Sequence, residues 1–230
     1  MAALVLAGAL LLPRDSGQHP PAAQAPADTT QRVDAAQLYL AQRTFGDTAA
    51  PLAIFEFSDF QCPYCREFWL KVLPVLDREY IRPGKARLVY LNLPISAIHP
   101  NAIRAHEFAM CAARDGHFRG YHDLLYKHQP DWEKLANPRD YFRGLADSAG
   151  LNAQAMTSCA DTHAMLWLVM GEAEAARKSG LTGTPSFVME GTLYKGSPTI
   201  EEWRPILDSL YKAVKSGKGR KKAVEGGNGR

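Results

Sequence analysis

The sequence lacks an apolar run long enough to cross a bilayer, which takes about 20 residues in a helix. The apolar run at residues 3–12 has the length of a signal-peptide core, yet no Lys or Arg precedes it. A Pro- and Ala-rich stretch follows, in which "AQA" at residues 23–25 has the form of a cleavage site. We therefore expect export, with a cleaved signal or a retained anchor. The alternative is a frayed apolar N-terminus on a cytosolic protein.

The chain also has little net charge, +3 at pH 7, and that charge is unevenly placed. Residues 212–230 carry seven Lys and Arg side chains against a single acid, Glu225. This segment is rich in glycine and has no aromatic residue beyond Tyr211, so we expect a solvated, disordered tail. Nucleic acid is not among the partners that the sequence predicts.

The sequence has only four cysteines. Cys62 and Cys65 lie three positions apart, whereas Cys111 and Cys159 each stand alone. A structural zinc site needs four ligands, usually at short spacings, and neither the lone cysteines nor the seven scattered histidines supply them. A purely structural Cys62–Cys65 disulfide is a poorer alternative still, because closing so small a loop constrains the unfolded chain little. We predict a redox-active dithiol with neither a metal nor a cofactor.

Secondary-structure signals place the cysteine pair between a strand and a helix. We predict strands at residues 51–58 and 86–94, with a helix between them that begins at the cysteines. The apolar stripe of this helix consists of Phe68, Val72, Leu76 and Tyr80. Pro74 lies within the helix and predicts a kink. Residues 32–47 are interpreted as a short helix or an irregular lead-in.

The second half of the chain changes from a helical pattern to short strands. Candidate helices lie at residues 101–114, 117–128, 138–149 and 153–179, the last with a break near Cys159. Strands at 186–190 and 192–195 then flank Gly191 as a hairpin, and Thr199 with Glu202 predicts a capping box at the start of a final helix. The simplest account is one α/β domain, β-α-β followed by β-β-α, interrupted by an all-helical insertion.

The position of the cysteines has a chemical consequence. Cys62 is expected where helix amide groups point outward and the helix dipole supplies partial positive charge, which lowers the pKa of its thiol. Cys65 lies one turn deeper, within disulfide reach but less exposed. Pro63 fits the first helical turn, where its missing N–H would have no partner. The pattern predicts a nucleophile, Cys62, followed by a resolving thiol, Cys65.

"CPYC" after an aromatic strand, the helical block and "TGTPSFVMEG" at residues 182–191 together resemble the DsbA-like class of thioredoxin-fold enzymes. These are extracytoplasmic thiol–disulfide oxidoreductases with a helical domain inserted in the thioredoxin fold. The resemblance implies disulfide exchange with exported proteins that carry cysteines, most simply as a donor, and a membrane redox partner that resets the dithiol. The expected regions are a signal or anchor with its linker at 1–30, the domain at 31–215 with its insertion at about 100–180, and the tail at 216–230.

The resemblance also implies roles for individual residues. Pro185 matches a cis-proline that faces the cysteines, and the backbone of Thr184 would pair with a substrate, which Pro63 and Tyr64 would also contact. Strongly oxidising members have His at the position of Tyr64, so the uncharged Tyr64 implies a milder pull on the thiolate.

Glu56, six residues before Cys62, matches a buried acid near the resolving cysteine. Because burying its charge between Phe55 and Phe57 would be costly, we expect a raised pKa that suits a proton shuttle. The alternative is that Glu56 faces solvent at a sheet edge.

Cys111 and Cys159 are expected to form a structural disulfide if the protein is exported, because two leftover cysteines in one subdomain most simply pair. Some DsbA-like relatives carry such a bond. The alternative is two separate buried thiols in a reducing cytosol.

Three other functions stay open from the sequence. An isomerase or reductase of the same fold would be kept reduced by a membrane electron donor. A glutathione-dependent enzyme is a further alternative, because Cys-Pro-Tyr-Cys is similar to a glutaredoxin active site. A non-catalytic binder would need neither thiol, so the presence of both argues against it.

Overall fold

The computed structural model describes residues 28–217. The predicted signal or anchor with its linker, at 1–30, therefore lies almost wholly outside the described residues, as does the predicted tail beyond residue 217. Within residues 28–217, no helix combines the length and the apolar character needed to span a membrane.

A five-stranded mixed sheet forms the centre of the fold. Its strands are β1 (Thr44–Phe45), β2 (Leu52–Ser58), β3 (Ala86–Asn92), β4 (Ser186–Met189) and β5 (Thr192–Lys195), in the spatial order β1-β3-β2-β4-β5. Strands β2 and β3 are parallel, and the other neighbouring pairs are antiparallel. The central strand β2 buries every second side chain, as expected where one face of a strand packs against a core. The predicted α/β class is confirmed.

Helices cover the sheet and form the insertion between β3 and β4. They are α1 (Thr29–Gln42), α2 (Pro63–Glu67), α3 (Leu73–Leu76), α4 (Ala102–Arg114), α5 (Phe118–Lys127), α6 (Gln129–Trp132), α7 (Arg139–Ser148), α8 (Ala153–Asp161), α9 (Leu166–Lys178) and α10 (Ile200–Lys215). Six of them, α4 to α9, lie between β3 and β4, where the helical insertion is predicted. The limits of the domain and of the insertion stay predictions.

The helix after the cysteines runs through residues 63–81 and departs twice from the α pattern. The π segments Phe68–Val72 and Asp77–Ile81 follow α2 and α3. Pro74 lies in the first turn of α3, directly after the first π segment. Because Pro74 has no N–H to donate, the regular bonding pattern is interrupted there. The kink predicted at Pro74 stays a prediction, whereas the predicted apolar stripe is buried.

The break predicted near Cys159 in the helix 153–179 lies at residues 162–165, between α8 and α9. The sequence interpretation was incomplete at two places. The lead-in at 32–47 contains β1, which is only two residues long and pairs with β3. Helix α6 is a single turn that was not predicted. Elements this short carry no readable hydrophobic period, which explains why they were missed.

Cys111 on α4 and Cys159 on α8 form a disulfide, with Cα atoms 6.1 Å apart. Both residues are buried in the core of the insertion. An ion pair also links the insertion to the segment before β1. The buried Arg43 guanidinium binds the Glu172 carboxylate of α9 through two hydrogen bonds. The pairing of Cys111 with Cys159, expected for an exported protein, is present.

The last helix begins as predicted. The Thr199 side chain accepts from the Glu202 N–H and the Glu202 side chain accepts from the Thr199 N–H, so the capping box is complete. Trp203 of α10 packs against Phe68 and Phe187, with ring centroids 5.9 and 4.7 Å away. Through this contact, α10 and the helix that begins at the cysteines pack against the sheet.

Candidate active site

Cys62 lies in the turn that joins β2 to α2. Its N–H donates to the Asp59 carbonyl oxygen at 3.0 Å, and Cys62 is the N-cap residue of α2. Cys65 follows in the first turn, where Pro63 takes an early position as expected. Both cysteines are free thiols, 4% and 0% exposed respectively. The order of exposure agrees with a more accessible first cysteine.

The pKa values of the two thiols shift in opposite directions. The pKa of Cys62 falls to about 6, chiefly because it accepts a hydrogen bond from the Cys65 thiol; burial opposes this, and Thr184 and the N–H groups of Cys65 and Tyr64 add to it. The pKa of Cys65 is raised well above its usual value, first by burial, then by Cys62 and by the charge of Glu56. Near neutral pH this arrangement favours a Cys62 thiolate beside a protonated Cys65.

The loop before β4 approaches Cys62 from the other side. The Thr184–Pro185 peptide bond is cis, and the protonated Cys62 thiol donates to the Thr184 carbonyl oxygen at 3.3 Å. The Thr184 hydroxyl is buried with no other hydrogen-bond partner among the described residues, so it is available to donate to the thiolate. The structure therefore brings the Thr184 backbone to Cys62 and gives Pro185 the cis bond that the resemblance implies.

Glu56 faces the core from the central strand. It is 2% exposed and lies in register between Tyr90 of β3 and Phe187 of β4. Burial raises its pKa to about 7, and a hydrogen bond with Ser58 opposes the shift. The alternative of a solvent-facing carboxylate at a sheet edge is wrong, because β2 is the middle strand of the sheet.

Two buried phenols that the sequence analysis missed line the region behind Cys65. The Tyr126 hydroxyl and the Ser58 hydroxyl form a hydrogen bond of 2.8 Å. The pKa values of Tyr90 and Tyr126 are raised well above the usual range, first by burial and then by charges that include Glu56 and Cys65. Tyr90 was not predictable as a site residue, because its place opposite Glu56 depends on the register between β2 and β3.

A buried carboxylate organises the turn before Cys62, and the sequence analysis missed this residue too. Asp59 is fully buried. One carboxylate oxygen accepts from the Gln61 N–H, and the other accepts from the Ile95 N–H and from Nδ1 of His99, each at 2.8 Å. Gln61 extends this network, because its side chain donates to the Glu133 carbonyl oxygen at 2.8 Å.

The remaining predicted residues lie at the surface beside the cysteines or within the helical insertion. Pro63 and Tyr64 are at the surface, and Tyr64 is 62% exposed. The Cys111–Cys159 disulfide lies within the helical insertion. Among residues 28–217, no group of His, Cys, Asp and Glu side chains is arranged to hold a metal ion. A cavity of about 440 Å³ flanks the Thr184 loop. It is lined by Leu93, Ile95, Ser96, Ala97, Met170, Arg177, Leu181 and Thr182.

A family model described as thioredoxin matches residues 40–209. The chain belongs to the thioredoxin family. Probable disulfide bond formation protein D of Bacillus cereus is 26% identical over 178 residues, which cover 76% of this chain and 78% of that protein. The Na⁺/H⁺ antiporter NhaA 3 of Salinispora tropica is 30% identical over 180 residues, which cover 74% of this chain but only 25% of the antiporter. This thioredoxin-family chain thus spans about a quarter of the antiporter's length.

Solved structures of DsbA-type proteins share the fold. Oxidised BdbD from Bacillus subtilis superposes with a TM-score of 0.68 at 20% identity, covering 74% of this chain and 93% of that one. Wolbachia pipientis α-DsbA1 gives a TM-score of 0.68 at 18% identity, covering 76% and 93%. The prediction of a DsbA-like member of the thioredoxin superfamily is confirmed at the level of family and fold.

Proposed function

We propose that the protein is a protein disulfide oxidoreductase that exchanges disulfides with exported proteins through Cys62 and Cys65, as a donor in oxidative folding. The observation that carries the proposal is the geometry of the dithiol: the Cys62 sulfur, at the start of α2, lies 3.3 Å from the Thr184 carbonyl oxygen, and Cys65 in the following turn is fully buried. The pKa values agree with this arrangement, since the pKa is lowered to about 6 at Cys62 and raised at Cys65. In the donor direction Cys65 leaves first and its high pKa favours uptake of a proton, while the low pKa of Cys62 makes it the better leaving group in the second step.

The exchange proceeds through a mixed disulfide. In the oxidised protein, a client thiolate attacks the Cys62 sulfur and breaks its bond to Cys65, which leaves as a thiolate and takes up a proton. A second client thiolate attacks the client sulfur of the mixed disulfide and releases Cys62 as a thiolate. The client loses two electrons and gains a disulfide, while the protein gains two electrons and becomes the dithiol.

Glu56 is the proposed proton shuttle for Cys65. With a pKa of about 7, its carboxyl is populated in both protonation states near neutral pH, which suits a group that donates and removes a proton in turn. Its charge is among those that raise the pKa of Cys65, so the two groups interact across the buried space between them. Tyr90 lies opposite Glu56 and is one of the groups that interact with both.

The proposed substrate surface surrounds Cys62. The Thr184 backbone beside the sulfur is positioned for strand-like pairing with an extended client segment. Pro63 and Tyr64 present exposed apolar surface on the other side, which suits an unfolded chain with its hydrophobic side chains uncovered. This surface requires no sequence motif in the client beyond a reachable cysteine.

The proposal that the protein donates disulfides, rather than reducing them, rests on the lowered pKa of the Cys62 thiol. Lowering the pKa of Cys62 stabilises the reduced protein, which makes the disulfide more oxidising. Because Pro63 and Tyr64 bring no charge, the oxidising strength is expected to be moderate. An isomerase, a reductase or a glutathione-dependent enzyme of the same fold is the competing function.

An extracytoplasmic location is part of the proposal. A buried disulfide between Cys111 and Cys159 suits an oxidising compartment, since such bonds are rare in the cytosol of mesophiles. A membrane redox partner would then reoxidise Cys62 and Cys65 after each cycle.

Oxidation of a reduced, unfolded client tests the function. The oxidised chain is expected to introduce disulfides into reduced ribonuclease A and to accumulate as the dithiol, with one client disulfide formed per turnover. Cys62→Ser should abolish the reaction, whereas Ser179→Ala, at the exposed end of α9, should leave it unchanged. A full client-oxidation rate in the Cys62→Ser variant would contradict the proposal.

A further inference from the structure

The residues between the two cysteines bring no charge to Cys62, but a histidine from a distant part of the chain lies close to its turn. Cys62 donates its N–H to the Asp59 carbonyl oxygen, and the carboxylate of the same Asp59 binds Nδ1 of His99. Asp59 therefore links the two residues, because its carbonyl oxygen binds the Cys62 backbone and its carboxylate binds the His99 imidazole. The His99 side chain is 13% exposed, so it lies against the protein rather than in bulk water.

The groups around His99 are mostly anionic. The hydrogen bond with Asp59 is the largest cause that raises the pKa of His99; burial opposes it, and the charges of Asp59, Cys62 and Glu133 raise it further. Asp59 lies on the turn after β2, Cys62 at the start of α2 and Glu133 directly after α6. These surroundings favour the imidazolium form over the neutral ring.

The negative charge of Asp59 is stabilised by donors other than His99. Both Asp59 oxygens are already occupied by backbone donors, the N–H groups of Gln61 and Ile95, in addition to the imidazole. These N–H dipoles stabilise the carboxylate charge and reduce its effect on neighbours. The charge of His99 interacts with Cys62, because the charge of Cys62 is among those that raise the pKa of His99 and the interaction is mutual.

We propose that His99, oriented by Asp59, is a positioning residue that supplies the positive charge stabilising the Cys62 thiolate and so raises the oxidising power of the dithiol. This inference rests on the proposed role of Cys62 as the nucleophile. It assigns to the loop before α4 a part of the redox chemistry, although His99 is 37 residues beyond Cys62 in the chain.

The interaction is reciprocal and depends on the redox state. Only the reduced protein carries a thiolate, so the pKa of His99 is higher in the reduced protein than in the oxidised one. Because His99 is positively charged only below its pKa, its stabilisation of the Cys62 thiolate is present below that pKa and is lost as the pH rises through it. The reduced state consequently loses its advantage from His99 at alkaline pH.

His99→Gln in the full chain tests the role, since the Gln amide retains an N–H donor for Asp59 but cannot carry a charge. We expect the Cys62 pKa, measured from the pH dependence of alkylation by iodoacetamide, to rise. The equilibrium with glutathione should shift about threefold to tenfold toward the less oxidising side, where tenfold corresponds to about 30 mV. The difference from wild type should vanish above the His99 pKa. His117→Gln, at the exposed start of α5, is the matched control and should change neither quantity.

A second measurement needs no variant. The His99 ring protons, followed by NMR through a pH titration, should give a higher pKa in the reduced protein than in the oxidised protein. Equal pKa values in the two states, or an unchanged Cys62 pKa in a folded His99→Gln variant, would overturn the inference while leaving Cys62 as the nucleophile. An unreactive Cys62 in the wild type would instead overturn the proposed function.

Discussion

The Cys62 sulfur lies 3.3 Å from the carbonyl oxygen of Thr184, a residue 122 positions later in the chain. This contact joins the first turn of α2 to the loop that enters β4. In the proposed function, this Thr184 backbone is where an extended client segment would pair. Cys62 and Thr184 together therefore locate the reacting surface more precisely than the spacing of the two cysteines does.

Cys65→Ala is expected to trap mixed disulfides between Cys62 and client proteins, because the resolving thiol is lost while the nucleophile keeps its environment. The adducts would be visible on non-reducing gels and would disappear with dithiothreitol. Cys62→Ala is the control and should give none. Faster alkylation of Cys65 than of Cys62 at neutral pH in the wild type would reverse the assignment of roles.

Glu56→Gln is expected to slow the step that protonates or deprotonates Cys65 by about 100-fold, the lower end of typical acid–base contributions. The wild-type rate of this step should change near pH 7, where Glu56 titrates, and the variant should lose that dependence. Glu174→Gln, exposed on α9, is the control. Stopped-flow measurement of mixed-disulfide formation by the oxidised protein against pH checks this, and an unaltered pH profile in Glu56→Gln would rule out the shuttle.

The same substitution has a stability signature with a defined sign. The pKa of Glu56 is raised from 4.5 to about 7, so folding favours its protonated form and the wild type loses stability as the pH rises between these values. The unfolding free energy of Glu56→Gln minus that of the wild type should therefore be larger above pH 7 than at pH 4, by on the order of 3 kcal/mol. Denaturant titrations of both proteins at pH 4 and pH 8 measure the difference. An equal gap at the two pH values would contradict the raised pKa.

Replacing Cys111 and Cys159 together by Ser is expected to lower the unfolding free energy by about 4 kcal/mol, from the loop-closure entropy of a bond spanning 48 positions. The matched Cys62→Ser, Cys65→Ser variant should lose much less, because its loop is short. In mild dithiothreitol with alkylation, intact mass should reveal two thiols first and two later. Four thiols appearing together would argue against a protected structural disulfide.

Tyr64→His tests the influence of charge beside Cys62. A cation at this exposed position should stabilise the thiolate and shift the glutathione equilibrium at least about threefold toward the oxidising side. Tyr64→Phe keeps the ring without the charge and should stay near wild type. If Phe and His shift the equilibrium equally, packing rather than charge governs the thiol at this position.

The dithiol and the longer elements were predictable because each leaves a local signal in the sequence, whereas the burial of Glu56 was an expectation supported by the family resemblance. A cysteine pair after an apolar strand, and an acid between two phenylalanines, are visible without knowledge of the fold. The capping box of Thr199 and Glu202 is equally local. These predictions needed only spacing and side-chain chemistry.

The contacts of Asp59 with His99 and of Glu56 with Tyr90 were beyond the sequence, since they depend on tertiary structure. His99 is 40 residues from Asp59 and had no spacing that marked it among the histidines. Tyr90 reaches Glu56 only through the parallel register of β2 and β3. The two-residue β1 is likewise defined by its partner strand rather than by its own composition.

The central claim is that the Cys62/Cys65 pair donates disulfides, and its reduction potential tests this most directly. Equilibration of the full chain with reduced and oxidised glutathione, followed by quenching and quantification of the dithiol, gives that value. The account predicts a potential on the oxidising side of the thioredoxin-fold range, above about −200 mV and toward about −120 mV. A potential near about −270 mV would mark a reductase and contradict the account.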